Sequence, residues 1–416
     1  MGSTETGVRH HARAGYANAT NEGVGYKAMT AVDRAASIEG LRRLALRRLP
    51  HFVGDYLEGG AGDGGGIRRN VDAFRKYQLL PQALAEVTPV DTSVGLFGKR
   101  YASLFGISAV GIAGIYRRHA DEYLAEAARD ANIPFILSGA SHATIETIAR
   151  IAPDHTWYQL YGAHSPAVTE NMLARARDAG VKVLVYTVDY PLAPRSEVVS
   201  RTGVSMATGP NLRTLPRLVL DALCHPFWTA DYLRGGGLPK LGSWAAYAPP
   251  GSNAKQIAAY YVKNWNNPQT WRDLDRIRSL WKGPMVVKGL VHADDALRAV
   301  QAGADAVTVS NHGGNKLDCM QGALDSLAQV RAGAGRDIRV FFDGGIRRGS
   351  DLIIAKAIGA EFCFTGRATI YGVAAGGLRG AKRAIDILQS DLSYTMAMIG
   401  CRTVGDITHD HVVAAS

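Results

Sequence analysis

The sequence predicts an α/β fold: a (β/α)8 barrel, a TIM barrel, with an N-terminal helical segment and a long insertion after strand 4. Three observations lead there. From residue 103 onwards eight short apolar runs, rich in β-branched and aromatic residues, recur along the chain. Most are followed by a stretch of helical period, and polar or glycine-bearing positions gather where the runs end. Eight such units is the count of a closed barrel, whose chemistry collects at the carboxyl ends of its strands. An open doubly wound sheet is the alternative, and no early GxGxxG after a first strand supports it.

The elements follow in order. Residues 1–35 mix Gly, Ala, Thr, Asn, Arg and His without the apolar core of a secretory signal, so a disordered tail is expected. His10-His11 in such a tail forms no preorganised metal site. From Ile38 the apolar residues Leu41, Leu44, Ala45 and Leu49 fall at three- and four-residue intervals and predict a helix. A second helix is expected from His51 to Leu57, stopped by Gly59-Gly60, and Asn70, Val71, Phe74 and Tyr77 continue this cap. Residues 82–98 read as connecting strand and turn. The barrel domain is expected over 36–416, with strands at 103–109, 133–139, 156–162, 181–189, 283–290, 306–312, 339–345 and 362–368. Helices such as 122–131 and 293–302 lie between them.

Nearly a hundred residues separate Val188 from Met285, where about thirty would serve. An insertion is therefore placed at about 196–270. Its middle carries Leu218, Val219, Leu220, Leu223, Phe227, Trp228 and Tyr232 beside Arg213, Arg217, Arg234 and Lys240. An apolar face with basic flanks suits an anionic membrane surface, a barrel lid or a subunit contact. A last helix, from about 381 to 396, is expected to pack on the barrel.

Composition narrows the function classes. The chain has 416 residues, 47% hydrophobic and 20% charged, a globular balance. Its net charge of +10 is scattered and not gathered in one run, which argues against nucleic acid. Cys224, Cys319, Cys363 and Cys401 are widely spaced, with no CxxC pair and no Cys/His cluster, so a reducing, cytoplasmic setting is expected and a metal site is not. No run of about 18 apolar residues is present to span a bilayer.

The residues that carry chemistry sit at predicted strand ends. Ala306-Val-Thr-Val-Ser-Asn-His312 runs into Gly313-Gly314 and places Ser310, Asn311 and His312 at a carboxyl edge. An imidazole, with an ordinary pKa near 6.5, suits a general base there, and a loop-capping histidine is the plain alternative. Asp189, two residues after Thr187, is the kind of carboxylate that orients such a base. Asp343-Gly344-Gly345-Ile346-Arg347 and Gly366-Arg367 follow the seventh and eighth strands. Glycines let backbone N–H groups approach phosphate oxygens and arginines add forked donors, so the pair reads as a phosphate site. Lys288, ending the fifth strand, can hold developing negative charge or simply snorkel at the rim. Ser138, Gln159 and Thr187 end the second, third and fourth strands and suit the hydrogen-bonding edge of a planar ring, although each alone also reads as a satisfied core group.

With these residues in place the chain resembles the FMN-dependent 2-hydroxy acid oxidising family, from about residue 38 to 408. The motifs are Asp55-Tyr-Leu-Glu-Gly-Gly-Ala61, Tyr158-Gln-Leu-Tyr161, Thr187-Val-Asp189, Val287-Lys-Gly289, Ser310-Asn-His-Gly-Gly314, Asp343-Gly-Gly-Ile-Arg347 and Gly366-Arg367. The resemblance implies FMN over the barrel mouth, bound by Ala109, Val110, Gly111, Ser138, Gln159, Thr187, Lys288 and Ser310, with Asp343, Gly344, Gly345 and Gly366 beside the phosphate arginines Arg347 and Arg367. It implies His312 as the base, Asp189 as its partner, and Tyr56 and Tyr161 as substrate contacts. Within the family, Leu57-Glu-Gly-Gly-Ala61 and the stretch from Leu218 to Trp228 resemble the membrane-associated, mandelate-oxidising branch. Gly111 stands where oxidases commonly carry Ala, which implies poor use of oxygen. The resemblance further implies a homo-oligomer, commonly a tetramer, a small-molecule substrate, and a quinone, carrier protein or oxygen as electron acceptor. A peripheral contact on the inner face of the membrane goes with the branch.

Two departures bear on the substrate. The family's carboxylate-clamping Arg is Asn315 here, and its second Arg aligns with Ser196, with Arg195 one residue early. A neutral amide cannot replace a bidentate guanidinium. Either Arg195 or Lys316 restores the charge, or the substrate is a non-carboxylate alcohol or amine, as the similarity of Asn315 to enzymes maturing mycofactocin-type peptide cofactors implies. An FMN barrel isomerase would also need the phosphate site but gives no reason for His312, Asp189 and Tyr161; a barrel that only binds a partner gives no reason for Lys288 either.

Overall fold

A computed structural model describes residues 29–192, 195–202, 204–205, 209–210, 214–265 and 268–415. Eight parallel strands close into a barrel: β1 (Phe105–Ile107), β2 (Phe135–Leu137), β3 (Thr156–Leu160), β4 (Leu184–Thr187), β5 (Met285–Leu290), β6 (Ala306–Val309), β7 (Arg339–Asp343) and β8 (Phe362–Thr365). β8 pairs with β1, so no edge is left open. Every expected strand is present and most are shorter than expected. Gln159, Thr187, Lys288 and Asp343 remain paired within their strands, while Ser138, Asp189, Ser310, Asn311 and His312 lie beyond the ladder in the loops of the site.

The barrel interior is packed, not hollow. Ile136, Trp157, Val185, Val286, Phe341 and Phe364 fill it from alternate positions of the strands. A hairpin made of 94–96 and 99–101 plugs the amino end, and Phe97 at its tip packs on Trp157 and Phe341 at 5.6 and 6.1 Å between ring centroids. With that end sealed, only the carboxyl end is left for chemistry.

Two helices stand before the barrel, α1 (Ile38–Arg48), capped by Ser37, and α2 (His51–Glu58). α3 (Gly65–Asp72) follows. Residues 29–35, expected in the tail, are folded: Thr30 caps onto Asp33, Asp33 pairs with Arg379, and Ala35 is buried. The expectation for 1–28 lies outside the described residues.

The insertion between β4 and β5 carries α4 (Leu215–Leu223) and α5 (Pro226–Arg234). α5 folds back on the loop after β1: Trp228 Nε1 donates to Ile115 O at 2.9 Å, and Tyr232 OH donates to Gly114 O. α4 buries no residue of its own. The final helix, α6 (Arg367–Met398), begins fourteen residues before the expected 381, because it starts directly at the end of β8 and passes through a kink at Gly376-Gly377. No described helix is long and apolar enough to cross a membrane.

Candidate active site

The strand ends bring the expected polar residues to one place. His312 lies at φ 56°, and Gly313 and Gly314 continue in the same left-handed region. Such a backbone is costly for a non-glycine residue, so its surroundings must hold it there. Ser310 Oγ accepts from His312 N at 3.0 Å, and Asn311 exchanges two amide bonds with Asn70 of α3, at 2.7 and 2.8 Å. The result is a fixed imidazole.

His312 Nδ1 is 2.8 Å from Asp189 Oδ1, and its Nε2 is 3.3 Å from Tyr161 OH. With the proton on Nδ1, Nε2 accepts from the phenol. Burial opposes ionisation of Asp189, but the charge and hydrogen bond of His312, with Lys288 and Lys316 nearby, outweigh it and hold the carboxyl at about 2. Asp189 can approach because residue 289 is glycine: a Cβ there would fall 2.4 Å from the carboxylate carbon, at the position where β5 bulges. Burial pushes the Tyr161 phenol well above its ordinary value, so it stays a neutral donor.

Below this dyad the groups expected to meet a flavin form two sets. Lys288 Nζ donates to Ser310 Oγ at 2.9 Å and lies 2.9 Å from Asp343 Oδ2. Asp343 also accepts from Ser108 at 2.8 Å and from Ser310. Gln159 Oε1 accepts from Gly139 N at 3.0 Å and Ser138 Oγ at 3.3 Å. Among the described residues, its Nε2 and the Thr187 hydroxyl are buried with no hydrogen-bond partner. An orphaned amide and hydroxyl at adjacent strand ends fit a ligand edge carrying both donors and acceptors, as an isoalloxazine does.

The phosphate loops fit as well. Gly345 and Gly366 have N–H groups with no partner among the described residues. Gly345 sits at φ 84°, where a Cβ would strike Asn70 O at 2.1 Å. Arg347 N donates to Asp351 Oδ2 at 2.7 Å, and its guanidinium donates to Ile346 O at 2.8 Å and lies over Tyr371. Arg367, expected on the phosphate, donates to Leu57 O, Gly59 O and Gly313 O at 3.0, 3.0 and 2.7 Å and to Asn315 Oδ1 at 3.1 Å. The physical reason is the end of α2, whose free carbonyls collect a cation.

Substrate-side expectations divide. Tyr56 is partly exposed and stacked near Tyr116, 6.4 Å between centroids. Arg195 has an exposed side chain, and its carbonyl accepts from Gly62 N at 2.8 Å; Ser196 bridges to the same glycine. Lys316, half-buried over the Tyr190 ring and close enough to influence Asp189, is the cation beside the dyad. Burial lowers it to about 7 although Asp189 pulls the other way. Ala109, Val110 and Gly111 follow β1, and a Cβ on Gly111 would meet Ala140 and Ser138 at 3.5 and 3.6 Å.

Sequence reasoning missed an aromatic wall. Tyr190 packs on Tyr161, His312 and Trp265 at 5.6, 5.9 and 4.2 Å, and Tyr261 joins Trp265 at 6.0 Å. Tyr190 directly follows Asp189 and was within reach of inspection; Trp265 comes from the insertion, and no local signal marks it.

A parallel barrel with a His–Asp dyad, a strand-end lysine and a phosphate-accepting carboxyl edge defines an FMN-type (β/α)8 oxidoreductase. Comparison with known proteins narrows this. Residues 45–414 match the family model for FMN-dependent dehydrogenases. The chain is 35% identical to (S)-mandelate dehydrogenase of Pseudomonas putida over 90% of its length and 93% of the relative's. It is 34% identical to L-lactate dehydrogenase of Xanthobacter autotrophicus over 91% and 96%. A crystal structure of monotopic membrane protein (S)-mandelate dehydrogenase superposes with a TM-score of 0.86 at 35% identity, covering 92% of this chain and all of that one. The chain belongs to the FMN-dependent dehydrogenase family and is an oxidoreductase acting on CH–OH groups.

Proposed function

We propose that the chain oxidises 2-hydroxy acids to 2-oxo acids, with aryl-bearing, mandelate-like acids preferred over lactate-like ones. The observation that carries the reading is the His312–Asp189 pair facing Tyr161 at the barrel mouth. Oxidation of R–CH(OH)–COO⁻ breaks one C–H and one O–H bond and releases two electrons. FMN, when bound, would supply the acceptor for the electron pair and one of the two hydrogens; the other leaves as the proton that His312 takes. His312 Nε2 takes a proton, and the Asp189 carboxylate, ionised at neutral pH, stabilises the imidazolium that forms. Tyr161, a neutral donor, holds the substrate oxygen that becomes the carbonyl.

Lys316 supplies the charge for the substrate carboxylate. It is the cation nearest the dyad in this loop, and its burial lets a bound anion restore its proton. Tyr161, Tyr190, Trp265 and Tyr261 form the wall that supports an aryl side chain over a methyl group. Lys288, held between Ser310 and Asp343, keeps positive charge at the strand end, where it favours the reduced cofactor.

A peripheral membrane contact through α4 and α5 accompanies this reading. Leu220 and Phe227 are 64% and 77% exposed, with Leu223 and Leu233 beside them and Arg217 and Arg234 flanking. An acceptor dissolved in the bilayer, a quinone, suits that placement.

The test is anaerobic bleaching of the FMN-loaded enzyme. Mandelate and its ring-substituted analogues should bleach it at lower concentration than lactate, and mandelamide should require far more. Bleaching by the amide at the same concentration as the acid would sink carboxylate recognition. No bleaching by any 2-hydroxy acid would sink the substrate class.

A further inference from the structure

The start of α2 meets the end of α4 through three side chains that the oxidation chemistry does not use. His51, Asp221 and His225 each offer a ligand atom, and the three atoms lie within 4.8 Å of one another. His51 Nδ1 is 2.7 Å from Asp221 Oδ1, and Phe52 N donates to Asp221 Oδ2 at 3.2 Å. His225 Nδ1 is 2.7 Å from the Asp221 carbonyl and 3.4 Å from its Oδ1. A carbonyl only accepts, so that bond puts the proton on Nδ1 and leaves the lone pair on Nε2. This is the outer-sphere arrangement that fixes a ligating imidazole. The two rings meet edge to face at 5.4 Å.

The chemistry of the set is selective. Two imidazoles and one carboxylate form the N2O donor group of borderline transition metals, whereas Mg2+ and Ca2+ ask for oxygen ligands throughout. Bond lengths of about 2.0–2.2 Å at tetrahedral angles separate ligand atoms by roughly 3.3–3.5 Å. His51 Nδ1 and Asp221 Oδ1, at 2.7 Å, stand inside that spacing, and the three ligand atoms all lie within 4.8 Å of one another. The adjustment falls on His51, which is 82% exposed, while Asp221 and His225 are only 12% exposed and stay fixed. The neighbouring guanidiniums of Arg48 and Arg117 face Asp231, one helix further on. His51 is 170 positions from Asp221, so no sequence spacing announces the group.

We propose that His51, Asp221 and His225 bind one divalent transition-metal ion of the zinc class, which fastens the insertion helices to α2. Water completes the coordination on the exposed side of His51. The consequence is a metal-dependent tether between α4, which carries the exposed apolar face, and the helix that carries Tyr56.

The experiment uses the full-length, FMN-loaded chain with His10→Ala and His11→Ala, so that the tail offers no competing ligands. After chelator treatment it is titrated calorimetrically with Zn2+ at pH 7.5 and at pH 5.5. The expected result is one Zn2+ per chain at pH 7.5, bound at least roughly tenfold more weakly at pH 5.5 because both imidazoles must be neutral to ligate. Zn2+ should raise the melting temperature of this protein. His51→Ala, at an exposed position that leaves folding intact, should lose at least about tenfold in affinity and the thermal shift with it. Asp221→Asn should do the same. Absence of saturable binding in the parent, or equal binding by His51→Ala, overturns the proposal; a preference for Mg2+ over Zn2+ overturns the assigned class.

Discussion

Replacing Lys316 by Met and by Arg separates two consequences of burying one ammonium. Burial takes the group from 10.5 down to about 7, against the pull of Asp189. Between those values the unfolded chain binds a proton that the folded chain does not, so stability rises with pH across the window from about 7 to 10.5. Below pH 7 the full cost is on the order of 5 kcal/mol, from a fall of about 3.5 at 1.36 kcal/mol each. The side chain keeps partial exposure, and solvent screening brings the working figure nearer to about 2 kcal/mol. Lys316→Met is therefore expected to stabilise the protein at pH 6 by about 2 kcal/mol and to have little effect at pH 10.

The same change removes the carboxylate's partner. A hydrogen bond to a charged group contributes about 1.5–3 kcal/mol, so KM for mandelate should rise roughly 10- to 150-fold while kcat moves little. In the parent, kcat/KM should fall above about pH 7 as free Lys316 loses its proton. Arg stays charged at every accessible pH, so Lys316→Arg should carry that alkaline limb out of range and retain turnover. The assays are denaturant unfolding at pH 6 and 10 and steady-state kinetics from pH 5 to 10. An alkaline limb near pH 7 that persists in Lys316→Arg, or an unchanged KM in Lys316→Met, refutes the reasoning.

Other outcomes follow from the same geometry. His312→Ala should remain yellow and FMN-loaded while losing about 10²–10⁴-fold in kcat; normal turnover would remove it as the base. Thr187→Val should stabilise the flavin-free protein by about 1 kcal/mol, since it deletes a buried hydroxyl with no partner, and should weaken FMN binding several-fold, both measurable by thermal melting with and without added FMN. Asn315→Arg should lower stability by roughly 2 kcal/mol or more, because it replaces an acceptor for Arg367 by a like charge, and should not improve mandelate turnover. The pair Leu220→Glu and Phe227→Glu should abolish sedimentation with anionic vesicles while leaving mandelate oxidation intact in solution; undiminished sedimentation would move the membrane contact elsewhere.

Much of this architecture was legible because its signals are local. Runs such as Ala306-Val-Thr-Val and Arg339-Val-Phe-Phe announce strands, and the polar residue after each run announces the rim. The dyad partners were legible separately, as strand-end residues, although only the fold brings Asp189 to His312. What stayed hidden depends on long-range approach. Asn70 reaches Asn311 across 241 positions, and Trp265 reaches Tyr190 from the insertion. The bonds of Arg367 to the free carbonyls at the end of α2, three hundred residues earlier, leave no mark beside it in the sequence.

The placement of Arg367 also gives a physical reason for the least expected residue in the His312 loop. Its guanidinium ties Leu57 and Gly59 to Gly313, so the backbone on both sides of the site depends on that cation. The Asn315 amide oxygen accepts from it at 3.1 Å. In the proposed reading the positive charge for a substrate comes from the next position. The left-handed backbone of His312, Gly313 and Gly314 turns the loop so that Lys316 comes over Tyr190, on the Asp189 side of the imidazole. In that reading Asn315 and Lys316 are one exchange: the charge that position 315 lacks is supplied one residue later.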